Sequence, residues 1–107
     1  HLATLVEASA DFELVKAGCN VVSWASDPNN QNNVEEPLWR GLIGVVKFCD
    51  GASQLAHQVS ECHSKYNSDE TVQKLEDWKA GPTTCAYFAQ YKPDLCSTCR
   101  HVLKVAA

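Results

Sequence analysis

Six cysteines in 107 residues, three of them inside the stretch GPTTCAYFAQYKPDLCSTCRH at 81–101, restrict what this chain can fold into more than any other feature. A chain of this length forms one domain around a single modest core, so residues 1–107 are read as one unit. An even cysteine count at this size fits two frameworks: a secreted scaffold with three disulfides, or a metal site with two spare thiols. No charged-then-apolar segment opens the sequence, which makes the disulfide framework the less expected of the two. The sequence begins at His1 without methionine and is expected to be a piece of something longer.

Cys96-Ser97-Thr98-Cys99 is a C-x2-C knuckle, a spacing that lets two thiolates reach one ion while the intervening backbone N–H groups face sulfur. Cys85 lies upstream with ten residues intervening, behind Thr83 and Thr84, which can cap a short helix over 85–91, and Pro93 turns the chain back toward the knuckle. Three ligands thereby fall within one compact loop. A tetrahedral structural site needs a fourth, and His101, two positions after Cys99, competes with Cys19, Cys49 and Cys62 for that place. Cys49 and Cys62 fall on the apolar faces of two expected helices, where a thiol behaves as a small hydrophobe. Cys19 follows Gly18 outside any strong helical pattern, at a point where an ion can tie down the chain. Zn2+ is the expected cofactor, because closed thiolate ligation suits structural zinc; a 4Fe–4S cluster on the same cysteines is the alternative.

Most of the remaining chain reads as helix. Residues 2–17 carry a broken apolar stripe. Glu35-Glu36-Pro37 places acids and proline in a first turn, and Leu38, Leu42, Val45, Val46 and Cys49 follow on one face, which predicts a helix over 36–49. Asp50-Gly51 ends it, and a second helix is expected over about 52–63. Asn67 with Glu70 three positions on forms a capping box for a third, which Gly81-Pro82 stops. Residues 19–24, CNVVSW, read as a short extended piece, and SDPNNQNNVEE at 26–36 as the longest exposed loop, with little to bury. The expected fold is all-α: a small irregular helical bundle with a metal-stabilised cysteine-rich loop, centred on Trp39, Trp78, Leu42, Val46, Leu55 and Leu75.

A net charge of −4 argues against gripping nucleic acid by bulk electrostatics. Local pairing of aromatics with cations remains, at Trp39-Arg40, Lys65-Tyr66, Tyr91-Lys92 and Arg100-His101. Arg40, Lys65, Tyr66, Lys79, Lys92 and Arg100 are therefore the candidate nucleic-acid contacts. The bland alternative is a solvated face that binds nothing. Catalysis has no motif: His57 and His63 near Cys62, and the acids Asp69, Glu70, Glu76 and Asp77, have ordinary explanations as packing and as charges on a solvated helix. No apolar run approaches the roughly 18 residues of a membrane span, so no membrane partner is expected.

The stretch from Leu38 to His101 resembles the primase C-terminal module of phage and plasmid primase-helicases, over about residues 36–101. Trp39 with the following apolar helix is similar to that family's opening segment. Ser60, Tyr66, Glu70 and Trp78 are similar to its S…Y…E…W core, and GPTTC with C-x2-C-x-H to its cysteine-bearing phage subset. Val59 stands where the family usually has tryptophan, and the Gly-Lys that commonly follows the last cysteine motif is missing. The resemblance implies that the fourth sulfur comes from Cys19, giving Cys19, Cys85, Cys96 and Cys99, with His101 as second choice. It also implies a non-catalytic accessory role beside flanking primase and helicase domains, in the cytoplasm of a phage-infected or plasmid-bearing cell. There the module would help hold single-stranded DNA template and nucleotide or primer when synthesis begins. A purely structural connector between those domains is the rival reading.

Overall fold

The computed structural model describes residues 10–98. Seven α-helices and one 3-10 turn follow one another among them: α1 Phe12–Gly18, α2 Asn20–Ser26, the turn Gln31–Asn33, α3 Glu36–Val46, α4 Ala52–Gln58, α5 Ser68–Asp77, α6 Cys85–Tyr91 and α7 Pro93–Ser97. The fold is mostly helical, as the periodicity indicated. A parallel bridge joins Ala10 to Cys49, with the Ala10 N–H donating to the Phe48 carbonyl at 2.9 Å and the Asp50 N–H to the Ala10 carbonyl at 2.8 Å.

Helix α3 is the axis of the domain. Pro37 opens it, and Leu38, Gly41, Leu42, Ile43, Gly44, Val45 and Val46 are all buried. Helices α2, α4, α5 and α6 pack around it. Two glycines make that density attainable. A Cβ on Gly41 would stand 2.6 Å from the Tyr87 ring, and one on Gly44 would stand 2.5 Å from the Trp78 ring and against the Thr83 hydroxyl. Thr83 and Tyr87 close this approach by donating to the Gly41 and Pro37 carbonyls, each at 2.7 Å.

The expected caps are present. The Asn67 side chain accepts from the Glu70 N–H at 2.9 Å, and Thr84 accepts from the Tyr87 N–H at 3.2 Å at the start of α6. Asp11 likewise caps α1 through the Glu13 N–H. Of the helix expected over 2–17, positions 2–9 lie outside the described residues.

Four expectations are corrected. Residues 20–24 are not extended: they form most of α2, whose Val21, Val22 and Ala25 turn one face into the core. The 26–36 loop does bury side chains. Gln31 is 1% exposed and Val34 6%. The Gln31 amide donates to the Ser26 and Gln58 carbonyls at 2.9 and 3.0 Å and accepts from the Cys62 N–H at 2.9 Å. That last bond explains the third correction, since the helix expected to 63 ends at Gln58 and the chain runs on in turns, leaving Cys62 exposed rather than on an apolar face. Fourth, the core centre is Leu38, Leu42, Ile43, Val46, Val21 and Val22, while Trp39, Leu55, Leu75 and Trp78 are half-buried at its margin.

Candidate functional site

Two regions carry the residues singled out by the sequence. The first is the cysteine end. Cys19 is the one residue between α1 and α2, with extended backbone at φ −133° and ψ 113°, so its side chain leaves the junction of two helices. Cys85 opens α6. Both line one small cavity of about 270 Å3 with Val15, Val22, Val45 and Phe88. Cys96 is buried on α7, a helix that packs against both α2 and α6. The helices next to or bearing these three cysteines are thus neighbours in the fold.

Cys99, Arg100 and His101 lie outside the described residues. Among the described residues no group of three or more His, Cys, Asp or Glu side chains stands close enough to hold an ion. Cys19 and Cys85 share a cavity, and Cys96 does not line it. As donors these thiols suit zinc chemically, but the described residues do not bring three of them together, and a set of four would draw on Cys99 as well.

The other two cysteines are placed differently. Cys49 is buried, its Sγ donates to the Val45 carbonyl at 3.5 Å, and its thiol pKa is pushed up, first by burial and then by the charges of Asp50 and Asp11. It is core. Cys62 is a free exposed thiol in a turn.

The second region is a groove of about 640 Å3 between the start of α3, the turns at 59–66 and the start of α5. Trp39, His63, Lys65 and Tyr66 line it, beside the buried Gln31, Ser60 and Thr71. Tyr66 is held in place by a 2.6 Å hydrogen bond between its hydroxyl and His57 Nδ1. Trp39 is held by its indole N–H, which donates to Ser60 Oγ at 2.7 Å. Glu35, Glu36 and Glu70 stand at the rim. Glu36 is matched by Lys74 at 3.1 Å and Arg40 at 3.7 Å, and its carboxyl is held below the usual range by the Lys74 hydrogen bond and charge, then by Arg40.

The candidate cations are accordingly not equivalent. Lys65 lines the groove with Tyr66. Arg40 faces Glu36 at its edge. Lys79 and Lys92 do not line it, and Lys92 lies over the Trp24 ring, 4.2 Å from its centroid, so its charge already has an aromatic partner. Sequence reasoning missed Trp24, Asn20 and Gln31. Their partners lie far along the chain, and no local pattern marks them.

Among the described residues no helix is long and apolar enough to cross a membrane. Comparison with protein-family models, curated proteins and solved structures finds no match to this chain.

Proposed function

We propose that this chain is a non-catalytic helical module of a primase-helicase, whose groove holds a base of the template or of the starting nucleotide while its cysteine end is closed by one structural zinc ion. The observation that carries the reading is the groove itself. It sets two anchored aromatics, Trp39 and Tyr66, beside a cation, Lys65, and it falls within the roughly 300–1,000 Å3 of small-ligand sites.

The chemistry follows from those groups. A base stacked on Tyr66 or Trp39 gains about 1–3 kcal/mol without any need for a particular sequence, and Lys65 meets the phosphate that follows it. The rim carboxylates work in the opposite direction. With a net charge of −4 the module repels a long polyanion, so its affinity alone is weak, and the flanking catalytic domain supplies most of the phosphate contact. A site of this kind helps to place the first nucleotides, when no primer yet anchors the template. Thiolates from Cys19, Cys85, Cys96 and Cys99 would hold the zinc, whose contribution is to fix loop geometry rather than to take part in a reaction.

Removal of the module from its parent is expected to reduce primer initiation much more than primer extension, and Lys65→Glu with Tyr66→Ala in the intact parent should reproduce that bias. Equal loss of both activities, or of neither, contradicts the reading. Titration of the module with single-stranded DNA at two salt concentrations separates it from the connector reading, in which no salt-dependent binding occurs.

A further inference from the structure

The lining of the groove of about 640 Å3 treats two kinds of ligand differently. Trp39 and Tyr66 both have their polar atoms engaged within the protein: the indole N–H donates to Ser60 Oγ at 2.7 Å, and the Tyr66 hydroxyl meets His57 Nδ1 at 2.6 Å. What these side chains offer a ligand is therefore ring surface, on which any nucleobase can stack. Glu35, Glu36, Glu70 and Lys65 line the same groove. The Glu36 charge is offset by Lys74 at 3.1 Å and Arg40 at 3.7 Å. Among the described residues Glu35 and Glu70 make no ion pair, so their carboxylates stand against the Lys65 ammonium.

From this balance we infer that the groove selects a base held within a strand over a free nucleoside triphosphate, and that Glu35 and Glu70 set the choice. The inference rests on the base-binding reading given above. A nucleotide inside a strand brings a single phosphodiester charge with its base, which Lys65 can meet while the rest of the backbone stays outside the groove. A free triphosphate concentrates several charges on the tail that follows its base, and that tail meets Glu35 and Glu70 as well as Lys65. Like charges placed at a binding site discriminate against the partner that carries more of them. Both carboxylates stand at helix starts, Glu35 as the N-cap of α3 and Glu70 in the first turn of α5, where acids are favoured in any case. That preference does not account for their meeting along one groove beside two anchored aromatics.

The test follows the Trp39 indole N–H resonance of the isotopically labelled full chain during titration with thymidylyl-thymidine, which has a single phosphodiester, and with deoxythymidine triphosphate, with and without Mg2+. The dinucleotide is expected to shift that resonance saturably, and the triphosphate to bind at least about 10-fold more weakly in either condition. This comparison needs no variant. Glu35→Gln combined with Glu70→Gln, both exposed positions, should raise triphosphate affinity about 10-fold and leave dinucleotide affinity nearly unchanged. Glu76→Gln combined with Asp94→Asn neutralises two exposed acids outside the groove and should keep the wild-type preference, which separates a groove effect from the net charge of the chain. A triphosphate that binds the wild type as tightly as the dinucleotide, a preference that survives the loss of Glu35 and Glu70, or one that the Glu76 and Asp94 changes abolish equally, overturns the inference and leaves the base-binding reading intact. A wild type whose Trp39 resonance responds to neither ligand overturns both.

Discussion

The Trp39 indole N–H donates to Ser60 Oγ at 2.7 Å, and the Ser60 hydroxyl donates in turn to the Ala56 carbonyl at 2.7 Å. This two-step relay ties α3 to the end of α4 and forms a wall of the groove, and Ser60 is only 4% exposed. Ser60→Ala leaves the indole N–H without its acceptor and is expected to cost about 1–3 kcal/mol. Urea unfolding of Ser60→Ala, Trp39→Phe and the double variant checks it: the two single losses should not add, because they break the same bond. Full additivity contradicts the relay.

The glycines of α3 and α1 predict opposite signs. Gly44→Ala drives a methyl group into Trp78 and Thr83 and is expected to destabilise by about 1–3 kcal/mol, more than the helix propensity it gains. Gly18, at the end of α1, has open space around its Cβ position and an ordinary φ, so Gly18→Ala should be neutral or stabilising by up to about 1 kcal/mol. Thermal unfolding of the two variants decides the sign in each case.

The spare thiols differ in reactivity. Iodoacetamide on the native protein should label exposed Cys62 quickly and spare Cys49, whose pKa burial has raised, until the domain unfolds. Peptide mapping that finds Cys49 labelled as fast as Cys62 would show that the Ala10–Cys49 bridge region opens readily.

Cys49 also predicts an alkaline limb of stability. Its folded pKa lies above the ordinary thiol value of 9.0, so folding favours the neutral thiol; that contribution is fully present below pH 9 and is lost as pH rises through the folded value. Burial, followed by the charge of Tyr91, raises Tyr87 above 10.0 in the same sense, with Arg40 opposing. The stability difference between wild type and Cys49→Ala should therefore shrink above pH 9. A difference that stays constant to pH 10.5 contradicts the buried placement.

Helices α3, α5 and α6 were legible because each announces itself locally, through Glu36-Pro37, through Asn67 with Glu70, and through Thr84 before Cys85. Helix α2 was not, since seven residues reading NVVSWAS are too short to display a period and resemble a buried strand. The asparagine-rich loop looked exposed because its side-chain amides find partners far along the chain: Gln31 bonds to Gln58 and Cys62, and Asn32 Oδ1 accepts from the Ser64 N–H at 2.8 Å. The cysteine end shows the same division. The C-x2-C spacing was visible, but the hydrogen bond from Asn20 Nδ2 to the Leu95 carbonyl, which links α2 to α7 at 3.0 Å, has no local signature.

Zinc content per chain, measured by elemental analysis and native mass spectrometry on the reduced wild type and on the six single Cys→Ser variants, tests the account most directly. The account predicts about one zinc in the wild type, loss of it in Cys19→Ser, Cys85→Ser, Cys96→Ser and Cys99→Ser, and retention in Cys49→Ser and Cys62→Ser. Iron with labile sulfide would keep the ligands and change the cofactor. A non-reduced mass that corresponds to three disulfides, with no metal bound, would contradict the account.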